Sequence, residues 1–338
     1  MKICQVVTGI IPVPNNRWGA VEKIIWEYKR NLELQGHECD IKYLNEVKQG
    51  EYDFVHIHMA NLCIEAQNRG IDYVFSIHDH HAEYYGKGSH VYNMNLSAMK
   101  GSIFSICHTP HYLELFDEVD KLFYLQHGVN TSFFTAKDHY EPHSILMVAN
   151  NGLAGDYSID RKGFEIGIRA AAELYLPITI IGAEANKKFL ELKPELLDLH
   201  DQITIISDNP TDDVVLEHYH KNTIFLHPSF LEAGHPNLTL LEAASCCLNI
   251  VATCKADFDT QGFYKLESLD VDEVVLKIET AIKLDGFWVR TDMAANREKY
   301  DWKYVVHDLI KYYSICKDIR KDNSSSEVHE MLKQVYVP

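Results

Sequence analysis

Short β-branched runs alternate with stretches of helical period along this chain, and the alternation runs through twice. Strand-like runs fall at 3–7, 39–43, 54–57, 73–77, 103–107 and 122–125. A second series falls at 144–148, 178–181, 203–206, 223–226 and 249–252. Helical stripes fill the gaps, as where Val21, Ile24, Ile25, Tyr28 and Leu32 keep i, i+3, i+4, i+7 spacing before Gly36. Repeated strand–helix–strand units form parallel sheets, because each helix returns the chain to the edge where the next strand must start. The expectation is two α/β domains in series, each built on a parallel sheet. A length of 338 residues, above the roughly 100 to 200 of one domain, agrees.

The polar stretch 135–142 separates the two series, so the boundary is expected near residue 140. That gives a first domain at 1–140 and a second at 141–300. Residues 302–319 read as an amphipathic helix with Val305, Val306, Leu309, Ile310, Tyr313 and Cys316 on one side. A linker at 322–326 and a short tail follow, completing a segment 301–338.

At 46% hydrophobic and 24% charged residues, the chain can bury large cores and is not a disordered polymer. The net charge of -17 repels phosphate backbones and anionic membranes on average, which makes nucleic acid an unfavoured partner. No run reaches the 18 or more apolar residues of a membrane span. The eight cysteines include no CxxC pair and lie in apolar runs, so buried reduced thiols are expected. Met1 leads straight into a strand-like run without a signal-peptide pattern, which points to a cytoplasmic protein.

Chemistry-bearing residues gather where strands give way to helices. Gly19, ending a long loop before the first helix, allows close approach of backbone N–H groups to a phosphate or sugar. Asp160-Arg161-Lys162-Gly163 precedes another helix, and a cation there can neutralise a leaving diphosphate without a metal. The densest segment, 227–245, carries a Gly-His-Pro turn and opens an apolar helix, with Glu232 before the turn and Glu242 within the helix. Carboxylates there suit sugar and ribose hydroxyls. A rival constellation is histidine-based: His78, His80 and His81 beside Asp79, with His56 and His58, have the ligand types and spacing of a metal-dependent hydrolase. That reading leaves residues 160–245 without a role. Asp257-Phe258-Asp259 has D-x-D spacing but lies beyond the strand and helix expected to hold a donor.

In order and spacing, these segments resemble the retaining GT-B-fold glycosyltransferases of the family 4 type. Leu34-Gln35-Gly36-His37-Glu38-Cys39 is similar to the family's R/Q-G-H-x-V helix end, Tyr52 through His58 to its D-V-V-H-x-H strand, and Phe75-Ser76-Ile77-His78-Asp79 to its strand ending in H-D. Leu125-Gln126-His127-Gly128-Val129-Asn130 resembles I-P-N-G-V-D, with His127 in place of the asparagine. Arg161-Lys162-Gly163 resembles the family's K-G, and 228–243 its P-S-x-x-E-G-F-G-x-x-x-x-E-A block. Nine residues separate the two glutamates here, against seven in the family.

The resemblance implies a GT-B architecture, two Rossmann-like parallel-sheet domains facing a central cleft, whose terminal helix crosses back to the first domain. It implies transfer of a hexose from a UDP- or GDP-sugar to an acceptor hydroxyl with retention of configuration and no metal cofactor. It also implies roles: Glu232 at the donor sugar, Glu242 at the ribose, Lys162 at the diphosphate, and His78 at the sugar or reacting centre. Gly19 and Gly182 would border the nucleotide, with Gly234, Asn237 and Leu238 in the donor block and Arg161 supplying a guanidinium. Asp79, His80 and Tyr84 would face the acceptor, which could be a glycan, a glycolipid, a small molecule or a modified nucleobase. A nucleotide-sugar epimerase or a binding protein on the same fold remains the other alternative.

Overall fold

The computed structural model describes residues 1–322 apart from 16, 18, 138–141, 257 and 259. The expected domain boundary, the D-x-D aspartates and the linker from 323 onward lie outside the described residues.

Two six-stranded parallel sheets form, one from each series of strand-like runs. In the first, β1 (Lys2–Val6), β2 (Glu38–Lys42), β3 (Phe54–Ile57), β4 (Val74–Ile77), β5 (Ser105–Cys107) and β6 (Leu122–Tyr124) take the order β2-β1-β3-β4-β5-β6. In the second, β7 (Ile145–Val148), β8 (Ile178–Ile181), β9 (Ile203–Ile206), β10 (Ile224–His227), β11 (Asn249–Ala252) and β12 (Phe263–Lys265) take the order β12-β11-β10-β7-β8-β9. The central strands β3, β4, β7, β10 and β11 are buried at every position, as expected where helices cover both faces. The expected strands all appear, most trimmed or shifted by a residue or two at an end. β12 is additional, a three-residue edge strand too short to show a period.

The helix Ala20–Leu34 ends where Gly36 takes a left-handed φ of 83°, and its stripe of Ile24, Ile25, Tyr28 and Leu32 is fully buried. The helix Phe164–Leu174 starts differently. Asp160 sits one turn upstream and accepts the amides of Phe164 and Glu165 (2.9 and 2.8 Å), while Gly163 supplies the left-handed residue between them.

The helix Trp302–Asp322 packs on the first domain, where Trp302, Val305, Val306, Leu309, Tyr312 and Tyr313 join Ile3, Tyr28, Phe54 and Phe104 in one cluster. Tyr313 stacks on Phe54 (centroids 4.8 Å) and its hydroxyl lies 2.6 Å from His56 Nδ1. The returning chain runs beside the outgoing one. The Val129 amide donates to the Tyr300 carbonyl (2.8 Å) and the Trp302 amide donates back to Val129 (3.3 Å). A methyl on Gly128 would fall 2.6 Å from the Trp302 ring, so the crossing strands can approach this closely only with glycine there.

All eight cysteines are buried thiols, and burial pushes those of Cys4, Cys39 and Cys107 up to about 12. Among the described residues no helix is long and apolar enough to cross a membrane.

Candidate active site in the interdomain cleft

Ligands of open parallel sheets bind beyond the carboxyl ends of the strands, where the strand order reverses. In the second domain that reversal lies between β7 and β10. The loop after β7 carries Arg161 and Lys162, and the loop after β10 carries Glu232 and Gly234. In the first domain it lies between β1 and β3, followed by the loop to Gly19 and by His58. These loops face one another across a cavity of about 730 Å³.

Gly19, His78, Asp79, His80, Arg161, Lys162, Gly182, Glu232, Gly234, Asn237, Leu238 and Glu242 all line this cavity. Tyr84 does not; it is half exposed and packs edge-on against Tyr85 (5.1 Å). The domains are pinned around the cavity by two ion pairs, Lys23 with Asp212 and Lys255 with Glu83. The His235 amide also donates to the His108 carbonyl (2.8 Å), and the Tyr124 hydroxyl donates to the His235 carbonyl (2.9 Å).

Glu232 is engaged from three sides. Its Oε1 accepts from Lys162 and from His227 Nε2 (2.8 Å), and Arg161 stands 4.0 Å from Oε2. Burial pushes this carboxyl up, but Lys162, the His227 hydrogen bond and Arg161 outweigh it and hold it well below the usual range. Burial lowers the Lys162 ammonium to about 8, with Glu232 opposing that shift. The result is a buried cation held by one carboxylate and an imidazole-backed network. An incoming anion could take over that cation.

Arg161 makes a different set of contacts from the one its motif suggests. Its Nε, Nη1 and Nη2 donate to the carbonyls of Gly152, Leu231 and Asn150 at 3.0–3.1 Å. The guanidinium therefore ties the loop after β7 to the loop after β10 while also lining the cavity. The helix Phe164–Leu174 likewise offers less to an anion than its position implied, since Asp160 already occupies its first amides. The helix Leu238–Ser245 is open by comparison: Asn237 caps only the Leu240 amide (2.9 Å), and Leu238 and Thr239 both line the cavity.

Glu242, one turn into that helix, accepts from the Tyr219 hydroxyl (3.0 Å). Burial raises its carboxyl to about 7, with Asp212 adding to the shift and Lys23 and the Tyr219 hydrogen bond opposing it. Gly182 follows β8, and a methyl there would meet the Ala149 carbonyl at 2.1 Å. Gly19 has a φ of 126°, and a methyl there would meet the Asn15 side chain at 2.6 Å. Both positions keep backbone exposed to the cavity that any side chain would cover or displace.

The histidines assemble otherwise than the sequence suggested. His80 and His81 stack on each other (4.3 Å), and His81 Nδ1 pairs with Asp79 (2.9 Å). His78 instead joins His58, His108 and His127, from neighbouring strand ends, in a stack with adjacent centroids 4.4–5.3 Å apart. Burial lowers His58 to about 3, His80 to about 3 and His108 to about 4, so these rings are neutral. The convergent trio among the described residues is His78, His108 and His127, not His78, His80 and His81.

Several site residues went unassigned in the sequence: His108, His227, Gln5, Glu22 and Tyr219. The first two sit at or just past a strand's last residue, and that position was the available signal. Glu22 is buried in the first turn of the helix Ala20–Leu34, accepts from the Thr8 hydroxyl (2.6 Å) and lines the cavity.

Residues 159–258 match the family model described as glycosyl transferases group 1. The structure superposes on sucrose-phosphate synthase from Thermosynechococcus elongatus with a TM-score of 0.74 at 13% identity, covering 93% of this chain and 98% of that one. The chain has the GT-B glycosyltransferase fold. HepE of Anabaena, solved with UDP and glucose, shares this GT-B fold at a TM-score of 0.69 and 12% identity, covering 93% and 99%. The catalytic domain of starch synthase IV from Arabidopsis thaliana, bound to ADP and acarbose, does so at 0.70 and 11%, covering 94% and 99%. No curated protein matches the chain by sequence.

Proposed function

We propose that this GT-B protein is a retaining glycosyltransferase of the family 4 type. It moves a hexose from a UDP- or GDP-sugar to an acceptor hydroxyl without a metal at the diphosphate. The observation that carries this reading is the position of Lys162. It is a buried cation two residues before the helix Phe164–Leu174, and it lines the same cavity as the open helix start at Leu238. A diphosphate placed there would take Lys162 from Glu232 and receive the Leu238 and Thr239 amides.

In this reading Glu242 accepts the ribose hydroxyls, Gly19 and Gly182 let backbone close on the nucleotide, and His78 faces the sugar. Asp79 and His80 border the acceptor side, with Arg161 holding the donor loops in register. The bond from the anomeric carbon to the phosphate oxygen breaks as the acceptor oxygen attacks the same face, and the acceptor proton passes to the departing phosphate. Its charge grows as the bond breaks, so a fixed cation stabilises the transition state more than the ground state. The complexes of HepE with UDP and glucose and of starch synthase IV with ADP and acarbose support a nucleotide and a sugar in such a cleft.

The test is a melting screen with UDP, GDP, ADP and their sugar conjugates in EDTA, followed by the anomeric configuration of the product. A shift with one nucleotide series and a retained anomer are expected. Turnover that needs an added metal, or an inverted product, would sink the corresponding part of the proposal.

A further inference from the structure

His78, His108 and His127 follow β4, β5 and β6, three adjacent strands, so their backbones are held side by side by the sheet. One ring nitrogen from each lies within 4.8 Å of the other two. The hydrogen bonds around them determine which nitrogens carry lone pairs. His108 Nδ1 lies 2.7 Å from the Leu125 carbonyl and must donate to it, which leaves Nε2 as an acceptor. Among the described residues that Nε2 is buried with no hydrogen-bond partner; the Pro236 backbone approaches the His127 ring, which keeps at least one buried nitrogen without a partner.

His78 is set by a relay. His58 Nε2 lies 2.8 Å from Gln5 Oε1 and donates to it, so His58 Nδ1 accepts from His78 Nε2 at 3.0 Å. The lone pair of His78 is therefore on Nδ1. Burying a polar nitrogen without a partner costs about 1–3 kcal/mol. Two rings of one cluster carry such nitrogens, beside a third whose lone pair its hydrogen bonds leave available.

We propose that His78, His108 and His127 form a three-imidazole binding site for a first-row transition metal such as Zn²⁺, with a fourth position open to the cleft. Three neutral imidazoles without a carboxylate favour zinc, cobalt, nickel or copper over magnesium, calcium or manganese. The Leu125 carbonyl and the His58–Gln5 relay are the outer hydrogen bonds that orient metal-binding imidazoles. Tetrahedral Zn–N bonds of about 2.0–2.1 Å place the nitrogens about 3.4 Å apart, so binding requires the rings to turn inward. His78 and His127 line the cavity, which directs the open position toward it. The site is separate from the diphosphate cation Lys162, and its existence does not depend on glycosyl transfer.

The test uses the full chain, stripped with a chelator, dialysed and titrated with Co²⁺. The visible bands of four-coordinate cobalt should rise to one equivalent and fall on adding Zn²⁺, with no response to Mg²⁺. His108→Ala and His127→Ala should each abolish the bands, and His80→Ala should leave them intact. His58→Phe should weaken binding about 10- to 100-fold through loss of the outer hydrogen bond. X-ray absorption on the zinc-loaded wild type, which requires no variant to fold, should count three imidazole nitrogens. Failure of the folded wild type to take up cobalt, bands that persist without His108, or a shell containing sulfur would overturn the proposal.

Discussion

The role proposed for Glu242 sets stability against function, and replacing Glu242 with glutamine exposes the conflict. Glutamine has the same shape and still accepts from the Tyr219 hydroxyl, but it carries no charge into the cleft. Burial raises the Glu242 carboxyl from 4.5 to about 7 in the folded protein, with Asp212 adding to the shift and Lys23 and Tyr219 opposing it. The folded state thus binds this proton more tightly than the unfolded state does. The associated stability is fully present below about pH 4.5 and is lost as pH rises through about 7. At 1.36 kcal/mol per pH unit, the loss reaches about 3 kcal/mol by pH 8. Glu242→Gln should therefore match the parent to within about 1 kcal/mol at pH 5 and exceed it by about 3 kcal/mol at pH 8. Urea unfolding of both proteins at pH 5, 6, 7 and 8 measures the gap. Donor affinity, read by the nucleotide-induced melting shift, should fall in the same variant. A gap that stays constant across the pH series would refute the assignment of this carboxyl as a buried acceptor whose proton the fold holds tightly.

Lys162→Ala should lower kcat by roughly 100- to 1,000-fold, as loss of one preorganised charge contact does; turnover near the parent value would remove Lys162 from the reaction. Arg161→Ala should cost about 3 kcal/mol or more of unfolding free energy, because three carbonyls of the donor loops lose a charged partner. A melting curve and donor affinity equal to the parent would show that the loops hold their register without it. Gly182→Ala puts a methyl against the Ala149 carbonyl and should cost about 1–3 kcal/mol of stability. It should also weaken nucleotide binding, and calorimetry with the nucleotide found in the melting screen measures that loss; unchanged affinity would place the nucleotide away from this turn.

Period and order were legible in the sequence because they are local. A run such as Ile178–Ile181 between two helical stripes has few alternatives to a buried parallel strand, and the strands restart after the polar break before Ser144. The loops that carry Gly19, Lys162 and Glu232 were legible for the same reason, since a strand-to-helix turn is marked by its own residues. What Arg161 does was not legible, because its partners are backbone carbonyls up to 70 positions away that carry no sequence signature. Glu232 shows the same limit. Its sequence neighbours suggest a sugar-facing acceptor, while the fold brings Lys162 and His227 onto it. The histidines were read along the chain, where His78, His80 and His81 are close. The sheet instead sorts them by strand end, placing His78 beside His108 and His127.

The terminal helix has a consequence for how the chain is made. Its apolar side, from Trp302 to Tyr313, completes a core whose other members include Ile3, Tyr28, Phe54 and Phe104 from the first third of the chain. During synthesis at about 5–20 residues per second, that core stays open for some 10 to 40 seconds after its own strands have emerged. All six strands of the second sheet, from Ile145 to Lys265, are made in that interval. The N-terminal half is thus the first to be made and the last to be finished, and the ribosome or a chaperone has its uncovered face in reach throughout.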